Sequence, residues 1–399
     1  MLRLPSIGLL PLALVAALPV VGACSSDPAP GGGAPSGVSC ASSTNAGDAA
    51  AAKQALAAAS SGSCVVLTAS VAGPLDVPAG VSLVAGQGSR AVISGGTASE
   101  PAVTLHEGSS LHGVDVTGAL GVGVAVRAAS ATLSDVNVSG AKGAALAVLC
   151  REGCEAGEVK LSNVSLEKSS LGLWVSGAKL SAKGGKSVGH MGQGLSAAAG
   201  VIAQDGASLS LDGMDVSGNQ GAGVLIDGAK TTATLQSVNV TDNAERGVWV
   251  QRTGGTIDNP AVRVLGSTVS KNRIVGLGAV ESRGIIVVGG RVGDTVAAPV
   301  VTDLATTESV GDGIGLFSNS GDVKLDNVEL VANARAAGLI DATKGAIIVV
   351  GGKVQAGPSN LKFVVQGSPS DVTVPPADVS SAPTRLGVSA PTIALQKVL

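Results

Sequence analysis

Aromatic side chains are almost missing from this 399-residue chain, which has two Trp, two Phe and no Tyr. Charge is also scarce: Asp, Glu, Lys and Arg make up 14%, and the net charge is only -3. With no basic excess and little for a base to stack on, the composition argues against nucleic acid as a partner. What is abundant is Gly, at 58 residues, together with a 45% hydrophobic fraction. That Gly content is about twice the usual share of ~7%. So apolar a chain with so little charge does not read as disordered. Gly, Val, Ser and Thr are poor helix formers, which disfavours a helical bundle.

The amino end reads as an export address. Arg3 supplies a positive start, and residues 7–21 are apolar but interrupted by Pro11 and Pro19. A run of about 15 residues is too short for a spanning helix of about 20 and matches a secretory signal. Val21-Gly22-Ala23-Cys24 follows at once and resembles a bacterial lipobox. That resemblance implies that residues 1–23 are removed, that Cys24 is lipidated, and that the protein is held on a membrane. Ser25 in place of Asp after the Cys implies the outer membrane by the same resemblance. Residues 24–39, rich in Pro, Gly, Ser and Ala, read as a flexible tether. Four Cys remain in an exported chain, which favours disulfides: Cys40 with Cys64, and Cys150 with Cys154 across a loop containing Gly153. A metal site using Cys150, Cys154 and His190 is the competing reading, and it lacks a second close-spaced ligand pair.

An internal repeat sets the architecture. The pattern L-x-x-V-x-V recurs at Leu111, Leu133, Leu161, Leu211, Leu235 and Leu325, with starts 22, 28, 50, 24 and 90 residues apart. The longer gaps fit whole multiples of a unit of ~25 residues, typical of stacked repeats. Each copy is followed by a turn and a Gly-led apolar segment such as Gly223-Val-Leu-Ile226 or Gly247-Val-Trp-Val250, then by a third short segment such as Thr232–Leu235. The apolar period within each segment is two, so these are strands. Three short strands per unit describe one coil of a solenoid whose coils stack ~4.8 Å apart and seal one core. Residues 40–365 give about 12 coils. Asn219, Asn243, Asn272 and Asn333 fall at one turn position, where earlier units have Ala119, Ala141 and Ser169. Stacked Asn side chains bond to one another along such an axis.

On these residues the chain resembles the right-handed parallel β-helix, or pectate-lyase-like, superfamily. That predicts an all-β, single-stranded right-handed parallel β-helix with a short N-terminal capping helix. Asn45–Ser60 reads as that helix, with Asp48 near its start and Gly62 beyond its end. A cap is needed because the open end of a solenoid presents unpaired strands. Residues 366–399, rich in Pro, Ser and Val, read as a tail or end cap.

Chemistry is harder to find. The outward column Asp115, Asn137, Ser165, Asp215, Asn239, Thr268 and Glu329 is polar, but Asp115 and Asp215 stand about four coils, or ~20 Å, apart and do not share an ion. Asp212 with Asp215 is the nearest approach to a calcium pair. His106, His112 and His190 are the only histidines and define no Ser-His-Asp set. His190, in a Gly-rich stretch, reads as a solvated loop residue. Gly185-Lys186-Ser187 echoes a phosphate loop but lacks its first glycine, Leu180 standing there. Trp174 and Trp249 fall at equivalent positions whose parity turns both outward, about three coils or ~14 Å apart. Between residues 246 and 291 there are seven basic and two acidic residues, including Arg246 and Arg273. Trp174, Trp249, Arg246 and Arg273 are therefore the candidate ligand-binding residues, suited to an acidic glycan if the indoles are exposed. Loops covering the indoles are the opposing reading. No catalytic residue, metal or cofactor is assigned. The sequence points to an envelope lipoprotein whose solenoid binds polysaccharide or an envelope protein, or serves structurally. The alternative is a lyase or hydrolase of acidic polysaccharide.

Overall fold

The computed structural model describes residues 38–88, 90–150, 157–192, 198–301, 307–318, 320–341, 343–367, 371–382 and 386. Three parallel sheets run the length of the solenoid, built from every third strand in turn. The first contains 14 strands and the second 12, matching the coil number expected. The third sheet also carries one short antiparallel addition, Ala298–Val301 against Thr307–Phe317. The fold is thus the expected right-handed parallel β-helix solenoid, with one α-helix among the described residues, at its start.

Alternation places one residue in two inside. Leu111, Leu133, Leu161, Ala182, Leu211, Leu235, Val264, Val287, Leu325 and Val349 are successive register partners on the inner side of the first sheet. All are buried in one continuous hydrophobic cluster. Each such Leu or Val contributes about 1.5–3 kcal/mol of burial, and none of it is available to an isolated coil.

The bend between the first and second sheets explains the L-x-x-V spacing. Its second x adopts left-handed backbone in coil after coil: Gly113, Asp135, Asn163, Gly184, Gly213, Ser237, Gly266, Gly289 and Asn327. Gly, Asn and Asp are the residues that enter that region at least cost. Two coils hidden in the long gaps of the repeat emerge here. One runs through Leu180, Ala182 and Ser187, the other through Val287 and Val292. Their pattern is weakened because Gly185 and Gly290 stand where other coils have Val.

The N-terminal cap is helix α1, Ala49–Ala58, with Ala52 and Leu56 buried against the first coil. Asp48 is its N-cap, its side chain accepting from the Ala51 amide at 2.8 Å. Such a cap contributes about 1 kcal/mol. Ahead of α1, strand Ser42–Ala46 adds to the first sheet beside Ser63–Leu67, and the Cys40–Cys64 disulfide fixes it there. At the other end the winding extends past residue 365, since Val372–Thr373 and Val379–Ser380 still pair in the first and third sheets.

Candidate functional site

The three outer faces differ in character. On the second sheet the outward column is Asp115, Asn137, Ser165, Lys186, Asp215, Asn239, Thr268, Arg291, Glu329 and Lys353, all in register. The repeat pattern located seven of these. Lys186, Arg291 and Lys353 sit in or beside irregular coils and were missed. Neighbours pair: Arg90 donates to Asp115 at 2.7 Å, Lys186 lies 2.8 Å from Glu167, and Arg291 lies 2.6 Å from Asp294. Asp115 and Asp215 are four register steps apart, about 19 Å. Asp212 lies with Asn163 and Lys183 in a shallow depression at the bend. Among the described residues no group of three or more His, Cys, Asp or Glu is placed to hold a metal ion.

The third sheet is different. Ala125, Ala147, Trp174, Ile202, Leu225, Trp249, Gly278, Gly315, Leu339 and Val364 form one outward column. Parity therefore aimed both indoles correctly, three coils apart. Their expected exposure is corrected: Trp174 is 3% and Trp249 1% exposed. They belong to a second hydrophobic cluster outside the solenoid, with Val122, Leu171, Val275, Phe317 and Leu361. Gly278 makes room for the Trp249 ring, which a Cβ there would meet at 2.3 Å. Trp249 and Phe317 stand 6.4 Å apart, and the Arg246 guanidinium lies 4.4 Å above the Trp249 ring. Arg246 is also corrected, being buried and bonded to Glu245 at 3.2 Å. Burial lowers the Arg246 pKa and raises that of Glu245, each partly offset by the other. Arg273 is exposed at the adjoining turn. The four residues thus form no open aromatic and basic patch.

His190 requires the second correction. It is 0% exposed and stands in the ladder column, between Ser169 and Asn219. The ladder itself runs as expected: the Asn219 amide side chain donates to Asn243 at 2.9 Å and that of Asn243 to Asn272 at 2.8 Å. Thr295 continues it, donating to Asn333 at 3.1 Å. At His190, Nδ1 accepts from the Ser169 amide at 3.3 Å. The proton is accordingly assigned to Nε2, which donates to Ser187 Oγ at 3.0 Å. Ser187 in turn donates to the Gly200 carbonyl at 2.7 Å. Burial drives the His190 pKa down to about 4, against smaller opposing effects of the Ser169 contact and the Glu167 charge. A serine on an inner core position whose hydrogen faces a carbonyl, beside a histidine whose basic nitrogen is occupied, is not an activated nucleophile. The phosphate-loop echo dissolves in the same place, since Lys186 points outward and Ser187 inward.

Other polar groups are paired too. Asp312, fully buried, receives both arms of Arg335 at 2.9 and 2.5 Å, with Glu308 at 3.4 Å. Asp227 holds Arg252. His106 lies 2.7 Å from Asp76 and His112 2.5 Å from Ser134. No carboxylate bonds to His112 among the described residues, so that contact lacks the orienting third member of a triad. Burial lowers the His112 pKa, with Asp135 opposing. Cys150 is disulfide-bonded; its expected partner Cys154 and the lipidation candidate Cys24 lie outside the described residues. No helix among the described residues is long and apolar enough to cross a membrane.

A family model described as "Right handed beta helix region" matches residues 86–292. No curated protein matches the sequence significantly. Among solved structures, a periplasmic alginate epimerase carrying two substitutions is similar with a TM-score of 0.54 and 13% identity, covering 80% of this chain and 77% of that one. The A-module of a mannuronan C-5 epimerase of Azotobacter vinelandii gives a TM-score of 0.39 at 13% identity over 84% and 95% of the two chains. A pectate lyase gives 0.35 at 13% identity over 88% and 80%. At 13% identity the likeness to the first of these, the alginate epimerase at a TM-score of 0.54, establishes the fold alone.

Proposed function

From the premise that this chain belongs to the right handed beta helix family, we propose that it is a non-catalytic module of the bacterial cell envelope. In this reading Cys24 carries lipid, residues 24–39 tether the solenoid to the outer membrane, and the polar second-sheet face meets a polysaccharide or an envelope protein. The observation that carries it is the commitment of the buried reactive groups to internal partners. His190 and Ser187 serve the ladder, and Asp312 and Arg335 serve each other. The Trp174 and Trp249 face is apolar and buried, which suits packing and not the charged groove a polyuronate would need. The enzymes similar in fold act on alginate or pectate by name, and polysaccharide is the ligand class this reading inherits from them.

The test has two arms. Incubation with alginate and polygalacturonate, followed by absorbance of unsaturated ends, reducing ends and sugar NMR, is expected to show no turnover. Turnover by any of these would replace this proposal with the lyase or hydrolase reading. In cells, Cys24→Ser is expected to move the protein from the membrane fraction to the soluble one. Unchanged fractionation would remove the anchor.

A further inference from the structure

The outer side of the first sheet changes character along the solenoid. Each row presents two outward residues, one on either side of the inward one. The earlier rows are polar: Thr132 with Ser134, Lys160 with Ser162, Ser181 with Lys183, Ser210 with Asp212 and Thr234 with Gln236. Then come Arg263 with Leu265, Ile286 with Val288, Lys324 with Asp326 and Ile348 with Val350. Val288 and Val350 are 40% and 48% exposed. Leu265, Ile286 and Ile348 are half-buried. Apolar side chains scattered singly over a surface need no explanation, but these five share four consecutive rows and form one patch.

One ion pair crosses the patch, Lys324 with Asp326 at 2.8 Å. We infer that this face docks a second copy of the chain, about a two-fold axis running parallel to the solenoid over Leu325. Such a contact is isologous, the same patch meeting itself. The axis exchanges the two outward residues of every row. Ile286 then meets the second copy's Val288, and Ile348 the second copy's Val350. Lys324 meets the second copy's Asp326 and the reverse, so the two ion pairs close into a quartet of alternating sign. In none of the nine rows do two like charges stand directly opposite. A two-fold along the strands instead sets Lys324 against itself, or against Ile286 or Ile348 of an adjoining row. The first is a like-charge clash and the second an unpaired charge on an apolar surface. About the solenoid-parallel axis the strands of the two copies lie aligned, one of the two ways in which sheets pack face to face.

The nine rows span eight register steps, about 38 Å at ~4.8 Å each. One strand wide, the face offers less than the ~800 Å² per partner of a standard interface, so association in free solution is weak. The same axis leaves the amino ends of both copies at one end of the pair. Two tethers then reach one membrane, where confinement raises the effective concentration. This last agreement rests on the Cys24 anchor proposed above; the match across the rows does not.

The test is sedimentation of the full chain in non-ionic detergent over a dilution series, with folding followed by circular dichroism. The parent is compared with Lys324→Glu, with Asp326→Lys, with an equal mixture of these two variants, and with Lys324→Glu/Asp326→Lys. The parent is expected to approach twice the chain mass as concentration rises. Each single variant sets like charges opposite one another at both ends of the row and is expected to associate at least about tenfold more weakly. The mixture is expected to regain the parental association, because every carboxylate of one variant then faces an ammonium of the other. The doubly substituted chain, in which the two charges have changed places, is expected to associate as the parent does. A parent that stays at one chain mass, or climbs beyond two, overturns the proposal. Single variants that associate like the parent overturn it as well, and so does a mixture that stays apart. The Cys24→Ser fractionation tests the anchor separately, so that either reading can fail without the other.

Discussion

Acidification is expected to unlock the ladder at one rung. In the folded chain the His190 pKa lies at about 4 against an ordinary 6.5, because burial disfavours the imidazolium. The unfolded chain therefore binds more protons than the folded one between these values, and stability falls as pH falls through that window. It is fully present above pH of about 6.5. At about pH 4.5 the linkage amounts to a loss of about 2.5 kcal/mol, and full traversal of the shift to about 3.4 kcal/mol. The structural cause is local: protonation puts a hydrogen on Nδ1, which now faces the Ser169 N–H at 3.3 Å, two donors with no acceptor between them. His190→Asn is the informative perturbation. Asn is the residue on the next three rungs, Asn219, Asn243 and Asn272, and its side chain does not titrate in this range. Guanidinium unfolding of the parent and of His190→Asn at neutral pH and at about pH 4.5 gives the difference in pH slope, in which all other titrating groups cancel. The parent is expected to lose about 2.5 kcal/mol more than the variant. Parallel slopes would refute the reasoning, because the imidazole would then be as free to protonate in the folded chain as in the unfolded one.

Three other outcomes follow from the same geometry. Asp312→Ala leaves Arg335 buried without its main partner and is expected to cost about 3–5 kcal/mol in a denaturant melt. Opening the Cys40–Cys64 bridge by Cys40→Ser frees a loop of sequence separation 24, worth about 3.5 kcal/mol in the chain-entropy account. The loss is expected first at the N-terminal coil, read as earlier proteolysis near α1. Gly278→Ala sets a methyl 2.3 Å from the Trp249 ring, and about 1–3 kcal/mol of destabilisation with altered Trp emission is expected. An unaltered spectrum would show that the ring does not rest there.

Much of the solenoid is legible because each coil repeats the same two local instructions. Alternation at Leu211, Met214 and Val216 specifies an inner face, and Gly213 specifies the bend. The cap is legible from Asp48, and the ladder from Asn219, Asn243, Asn272 and Asn333, each three residues after the last inward position of its strand. The coil from Lys179 to Gln204 was not, because Ala182, Gly185 and Ser187 replace the branched residues that mark its neighbours. His190 was misread for the same reason. In one dimension a histidine among glycines looks like a loop, and only the stacking of Ser169 and Asn219 above and below shows it to be a rung.

The chain's own order of residues determined the winding, the number of coils and the direction in which Trp174 and Trp249 point. Strand parity is a local property, set by backbone geometry residue by residue. What only the assembled molecule decided is which outward column meets water. An outward side chain is wet or dry according to what packs over it, and the contributors to the third-sheet cluster range from Val122 to Leu386. No local pattern records a neighbour that distant. Two indoles that alternation aims at solvent are for this reason buried in a second core.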